Sequence, residues 1–265
     1  MPFAKQNDCQ IHYELKGQGT PTVFINGFTN HLGMWDYFIP AFAESFLTLR
    51  FDNRGAGRSD TPPGPYSIDQ MGDDLIFLMD TLSLEKANLV GSSMGTLIIQ
   101  SIALRHPKRF GKIVMLSPFN RFPTSSYLEA INTAKLRNEN INRKLLFEKT
   151  LPWFHSSDYL SDPGNVQTVI ENLENNPYPS SPEGYSRQLE ALYSFDQTNL
   201  LKQIDHEAFL LAGAEDLLTP LYTAQALKTG MKGATLEVLP KTGHRLHIER
   251  KFEVLNLILP WLLKK

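Results

Sequence analysis

Hydrophobic residues in this chain follow two rhythms that take turns along its length. Ile11-His12-Tyr13-Glu14-Leu15 alternates apolar and polar side chains with the period of a strand. Thr22 to Asn26, Leu47 to Phe51, Ala87 to Val90, Ile113 to Ser117, Ala208 to Gly213 and Thr235 to Leu239 are short apolar runs instead. Such runs mark strands covered on both faces. Helical spacing fills the gaps between them. Met34 to Phe46 places Trp35, Phe38, Ile39 and Phe42 on one face and predicts a helix. Ser67 and Asp69 can cap a helix carrying Met71, Leu75, Leu78, Met79 and Leu82. Thr96 to Leu104, Tyr222 to Lys228 and the segment from about Ile248 predict three more. Repeated strand–helix units imply an α/β fold, a mostly parallel central sheet with helices on both faces.

The rhythm breaks after Pro118. Residues 119–200 hold helical segments and loops but no buried-strand run, and Pro152, Pro163, Pro177, Pro179 and Pro182 interrupt them. The expected organisation is a core of residues 1–118 and 201–265. Residues 119–200 are expected to form a helical cap, or lid, over the carboxyl ends of the strands.

Composition narrows the function classes. The 265 residues carry a formal net charge of −2, with 42% hydrophobic and 20% charged side chains. That balance gives no general pull towards nucleic acid or an anionic membrane. Cys9 is the one cysteine, so no intrachain disulfide forms, and it is expected to pack as a small apolar residue. The first residues lack the apolar stretch of a signal peptide. Val254 to Leu263 is shorter than the about 20 residues that span a bilayer and is expected to pack on the sheet. A cytoplasmic protein, monomer or homodimer, is the expectation. No Cys/His or carboxylate cluster has metal-ligand spacing, so neither metal nor cofactor is expected.

Chemistry concentrates at Gly91-Ser92-Ser93-Met94-Gly95, between a strand and a helix. A Gly-x-Ser-x-Gly turn in that context presents its central serine at the carboxyl end of a sheet and the amino end of a helix. Ser93 is thus the candidate nucleophile. A serine hydroxyl needs a base within reach, and the base needs an orienting acid. The loop after Gly213 carries Glu215 and Asp216; the loop after the last strand carries His244. Both leave the carboxyl ends of their strands, where α/β sheets build their sites. A tetrahedral oxyanion needs two donors. Met94 N–H is one candidate, and Phe28 N–H, in Asn26-Gly27-Phe28-Thr29, is the other. His31 lies near that loop and is a candidate pocket residue. His12, His106, His155, His206 and His247 carry no such context, and His12 is placed on an edge strand.

These motifs resemble those of the α/β-hydrolase superfamily over nearly the full length. Asn26-Gly27-Phe28 is similar to its His-Gly-x oxyanion loop, and Asp52-Asn53-Arg54-Gly55-Ala56-Gly57-Arg58-Ser59 to its Asp-x-Arg-Gly-x-Gly-x-Ser signature. Gly213-Ala214-Glu215-Asp216 with Thr219-Pro220 resembles its acid loop, and Gly243-His244 its histidine loop. The resemblance implies Ser93, Asp216 and His244 as catalytic triad, with Asp216 preferred over Glu215. It also implies a structural role for Arg54 and Asp52. Pro62 to Ile68 and the passage from Gly184-Tyr185 to Phe195-Asp196 most resemble the 3-oxoadipate enol-lactonase and carboxylesterase branch. Asn26 stands where His is commoner, and Thr96 where a second Gly is usual.

The function implied is hydrolysis of a small-molecule carboxylic ester or lactone through an acyl-serine. Phe119, Phe122, Trp153, Phe154 and Leu218, with Phe28 and Met94, are candidates for an apolar acyl pocket. Three alternatives share the fold. An esterase acting on an acyl carrier protein would use the basic residues Lys135, Arg137, Arg143, Lys144 and Lys149 to dock an acidic partner, although a solvated helix face has the same composition. A cofactor-free haloperoxidase or perhydrolase would use the same three residues. A low-turnover ligand receptor would keep the fold.

Overall fold

The computed structural model describes residues 2–139 and 141–264, leaving aside the side chains of Asn138 and Arg143. Eight strands form one sheet: β1 (Phe3–Gln6), β2 (Cys9–Lys16), β3 (Thr20–Ile25), β4 (Phe46–Phe51), β5 (Ala87–Ser92), β6 (Phe110–Leu116), β7 (Ala208–Gly213) and β8 (Ala234–Leu239). Their order is β1-β2-β4-β3-β5-β6-β7-β8. β2 pairs antiparallel with both β1 and β4, and every other pairing is parallel. His12 therefore sits on an inner strand, because the short β1 covers the edge where β2 was expected to lie.

The continuous apolar runs are explained by burial on both faces. Val23, Ile25, Leu89, Ile113, Met115 and Leu210 enter one core, while Phe24, Val90, Val114, Leu116 and Leu211 enter the other. Neighbours along a strand point to opposite faces, so both registers are apolar. Helices α1 (Ile39–Phe42), α2 (Ile68–Thr81) and α3 (Met94–Arg105) occupy the first half of the chain. Ser67 caps α2 by accepting from Gln70 N–H, as its position predicts. The helix expected over Met34 to Phe46 resolves into a 3-10 turn, Leu32–Trp35, and the single turn α1. Pro40 enters α1 at its start, and the Trp35 indole is drawn to Asn26 Oδ1 at 2.8 Å. Trp35, Phe38, Ile39 and Phe42 are still buried together.

Between β6 and β7 lie α4 (Thr124–Asn138), α5 (Arg143–Phe154), α6 (Ser157–Leu160), α7 (Pro163–Glu174) and α8 (Pro182–Ser194). Arg121 and Asp196 form an isolated antiparallel bridge where this helical insertion leaves and returns. Tyr127 and Tyr193 stack at 3.6 Å just beyond it. After β7 come α9 (Leu221–Gly230), α10 (Leu246–Glu249) and α11 (Lys251–Leu263). Val254, Ile258 and Leu262 dock α11 on the second core. Among the described residues no helix is long and apolar enough to cross a membrane.

Candidate active site

β5 ends at Ser92 and α3 begins at Met94, so Ser93 alone makes the turn. Its φ of 53° and ψ of −119° are rare for a residue with a side chain and cost energy unless the surroundings enforce them. They are enforced here. Ser93 N–H donates to Leu116 O at 2.9 Å, and Thr96 Oγ1 donates to Ser93 O at 2.7 Å. Thr96 is fully buried, so the hydroxyl at this departure from the family pattern fastens the turn. A Cβ on Gly91 would lie 2.7 Å from Ile99 Cδ1, and one on Gly95 would strike the Ile25 carbonyl. Backbone crowding requires glycine at Gly95, whereas a side chain at Gly91 would have to displace the tip of Ile99.

The loop after β3 packs against the same serine. A Cβ on Gly27 would be 3.3 Å from the Ser93 Cβ. Asn26 carries no charge towards Ser93; its amide donates to Phe51 O at 2.7 Å and accepts from Trp35. Thr29 holds a positive φ of 60° next to Phe28. Gln188 on α8 fixes it by accepting the Thr29 N–H at 2.9 Å while donating to Arg54 O at 2.7 Å. The Phe28 ring meets Tyr185 of α8 at 4.7 Å. Met94 N–H belongs to the first turn of α3, where helix amides have no intrahelical acceptor.

His244 and Asp216 arrive from the other side. His244 Nδ1 is 2.8 Å from Asp216 Oδ2, and both residues are buried. Asp216 is saturated: its Oδ1 accepts from Leu218 N–H at 2.9 Å and Thr219 N–H at 2.8 Å. Its Oδ2 also accepts the Thr219 hydroxyl at 2.8 Å, and that hydroxyl lies 3.1 Å from His244 Nδ1. Glu215 turns away and accepts the Ser157 N–H. β6 joins the two halves, since Ser117 beside Leu116 donates its hydroxyl to His244 O at 2.6 Å. Neither Ser93 Oγ nor His244 Nε2 makes a hydrogen bond among the described residues. Catalytic hydrogen bonds often tighten only when substrate binds.

The helical insertion also grips the histidine loop. Arg245 N–H donates to Phe154 O at 3.0 Å. Glu249 accepts from Gly243 N–H at 3.1 Å, from Ser156 N–H at 3.1 Å and from the Ser156 hydroxyl at 2.7 Å. Burial raises the Glu249 pKa, but His155 and these donors outweigh it and hold the carboxyl below its usual range. Burial pushes His155 down. It drives His247 to about 3, helped by the charges of Arg245, His244 and His155.

The remaining candidates are distributed as follows. Phe119 and Phe122 are buried in the first core with their rings 5.7 Å apart, and Leu218 is buried in the same core. Trp153 and Phe154 pack on that core, and Phe154 faces the His244 ring at 5.9 Å. His31 caps the 3-10 turn, accepts from Gly33 N–H and meets Tyr178 at 5.6 Å. Arg54 forms a buried bidentate pair with Asp74 at 2.6 and 2.7 Å, while Asp52 accepts from His12, Leu32 and Arg58. Both hold the loop after β4. In the basic segment, Lys149 pairs with Glu129, Lys144 lies 4.0 Å from Glu148, and Arg137 covers the Tyr185 ring. The Arg143 side chain falls outside the described residues. No group of three or more potential metal ligands occurs among the described residues. Sequence reading placed Thr219 in the acid loop without a role and missed Gln188 and Glu249, whose types are commonplace and whose importance comes from contacts across the fold.

A sequence profile of the alpha/beta hydrolase fold matches residues 20–251. The 3-oxoadipate enol-lactonase 2 of Acinetobacter baylyi is 30% identical over 248 residues, covering 92% of this chain and 89% of its own. The crystal structure of the enol-lactonase from Burkholderia xenovorans superposes with a TM-score of 0.87 at 27% identity, covering 99% of this chain and 100% of its own. An enzyme described as degrading N-acyl homoserine lactone superposes with a TM-score of 0.83 at 25% identity, over 98% of this chain and 100% of its own.

Proposed function

This chain belongs to the alpha/beta hydrolase family and is a hydrolase of the esterase or lactonase type, and from that premise we propose that it cleaves its ester or lactone through an acyl-enzyme on Ser93. The observation that carries the reading is the strained Ser93 turn tied through Leu116 and Ser117 to the loop of the His244–Asp216 pair.

In this reading His244 Nε2 takes the Ser93 proton as Oγ bonds to the substrate carbonyl carbon. Asp216 holds the proton on Nδ1 and stabilises the imidazolium. Thr219 and two backbone amides keep that carboxylate oriented. The oxyanion is received by Met94 N–H and Phe28 N–H, each such donor typically worth about 3 kcal/mol of barrier. His244 returns its proton to the leaving oxygen as the acyl C–O bond breaks. A water, deprotonated by His244, then releases the acid and restores the Ser93 hydroxyl. In a lactone the leaving oxygen stays joined to the acyl group through the carbon skeleton throughout, so the last step releases a single hydroxy acid.

Residues 119–200 act as a cap domain in the same reading, with 1–118 and 201–265 as catalytic core. Support comes from the bonds that reach from the insertion to both halves of the site, Gln188 to Thr29 and Ser156 to Glu249. Phe154, Trp153, Phe119, Phe122 and Leu218 supply an apolar wall for the acyl group, and His31 lies at its margin. The test is hydrolysis of p-nitrophenyl esters from acetyl to dodecanoyl, and of simple lactones, by wild type and Ser93→Ala. Turnover that disappears in Ser93→Ala is expected. Turnover that survives the substitution overturns the assignment.

A further inference from the structure

Arg245 follows His244 in the chain but takes no part in the chemistry above. Its guanidinium lies 4.8 Å from the centre of the Phe154 ring, which also faces the His244 ring. Among the described residues no carboxylate pairs with that guanidinium and no hydrogen bond engages it. Burial pushes it down to about 10, with Tyr159 opposing, so it remains a cation at neutral pH. Arg245 is half-buried and its nitrogens reach a cleft, so a cation without a counter-ion stands where a ligand can supply the anion.

Among the described residues, the cleft that Arg245 lines holds five carboxylates and three other cations, so its fit for an anion depends on which of these are already engaged. Arg245 lines a cleft of about 1240 Å³ between the 3-10 turn after His31, the α6–α7 segment and the start of α11. Ser93, Phe28, Met94 and Asp216 are not among its walls. The acids that face it are nearly all committed. Asp158 pairs with Lys241 at 3.3 Å, Asp36 pairs with Arg50, Asp162 caps α7 and Glu249 holds Ser156 and Gly243. Glu253 is exposed on α11. The other cations are engaged too: Arg250 Nε donates to Thr242 Oγ1, and Lys251 lies against Tyr37 and Phe252. His247, neutral at ordinary pH, has a buried Nδ1 without a partner among the described residues. Met34, Tyr159, Val169 and Leu173 give the cleft apolar walls.

We propose that Arg245 anchors the carboxylate of an organic acid with an apolar body, bound in this cleft beside the Ser93 site. The guanidinium fork matches a carboxylate in two parallel hydrogen bonds. The walls from α6–α7 and Met34 cover the carbon chain. The acid has two sources, the product of this enzyme's own hydrolysis or an acid made elsewhere. The proposal uses no step of the Ser93 mechanism.

Calorimetric titration of wild type with hexanoate, benzoate and inorganic phosphate tests it, repeated on Ser93→Ala and on Arg245→Met and Arg245→Lys. Hexanoate or benzoate is expected to bind wild type and Ser93→Ala alike. Arg245→Met is expected to weaken that binding by about tenfold or more, with Arg245→Lys between. Inorganic phosphate is expected to bind at least about tenfold more weakly than hexanoate, lacking the apolar body. Thermal melting supplies an independent readout. Arg245→Met exchanges the cation over the Phe154 ring for an apolar side chain, so Tm is expected to change little. Ranking the acids against the esters that wild type turns over identifies the source: matching orders mark a product, and differing orders a foreign acid, on the same carboxylate site. No binding of either organic acid, equal binding by Arg245→Met, or phosphate binding as tightly as hexanoate overturns the proposal.

Discussion

The fold holds two buried His–Asp pairs with the same bond length. His244 Nδ1 lies 2.8 Å from Asp216 Oδ2, and His12 Nδ1 lies 2.8 Å from Asp52 Oδ2. Each aspartate also accepts backbone amides, from Leu218 and Thr219 in one case and from Leu32 and Arg58 in the other. The difference lies at the far ring nitrogen. His12 Nε2 is covered by Arg58 Nη1 at 3.4 Å, and the ring rests 5.1 Å from Phe3. His244 Nε2 makes no hydrogen bond among the described residues and sits on the loop tied to Ser93. A polarised imidazole becomes a base only where its second nitrogen can reach a nucleophile. The His12 pair has the geometry of a catalytic dyad and serves to fasten the loop after β4 to β2.

The largest expected effect separates the two histidines. His244→Ala should lower kcat by up to about a million-fold, and should also cost some stability because it removes a partner of the buried Asp216. His12→Ala should leave kcat within a few-fold but cost about 3 kcal/mol, because it strands a buried carboxylate. Matched kinetics and thermal melts on both variants check this; similar kcat losses in the two would break the comparison. The aspartates should divide in the same way. Asp216→Asn is expected to cost about 10⁴-fold in kcat through the wrong tautomer. Asp52→Asn should register mainly in the melt.

Smaller effects sharpen the contrast. Thr219→Val removes the hydroxyl shared by Asp216 and His244 and should slow kcat by about tenfold, while Thr219→Ser restores it. An unchanged kcat in Thr219→Val would mean that the backbone amides alone orient Asp216. The last effect is one of stability against pH. His247 has a folded-state pKa near 3, below the ordinary value of 6.5, so the folded state resists protonation. Its contribution is complete above 6.5 and is lost as pH falls from there towards 3. Wild type should therefore lose Tm more steeply than His247→Gln across that window, and parallel melting curves would show that His247 is not held neutral.

The sequence exposed those parts whose identity is set by local backbone demands. Gly91, Ser93 and Gly95 announce a tight turn between strand and helix, and the apolar runs announce strands buried on both faces. His244 and Asp216 were legible because each follows a strand at its carboxyl end. The helix expected over Met34 to Phe46 was misjudged because its apolar face is real but its backbone is not continuous; Pro40 and the pull of Asn26 on Trp35 divide it. β1 escaped notice because four residues are too few to show alternation. Gln188 and Glu249 were invisible for a different reason. A glutamine that clamps Thr29 from 159 residues away has no local signature. The same holds for Arg245, whose lack of a counter-ion is apparent only when the acids around it are placed.

The most direct test of Ser93 as nucleophile is mass-spectrometric mapping of the site labelled by a fluorophosphonate, which phosphonylates activated serines. The account predicts a single adduct on Ser93, formed quickly in wild type and in His12→Ala and slowed severely in His244→Ala. An adduct on another residue, or labelling of Ser93 that His244→Ala leaves as fast as in wild type, would contradict it.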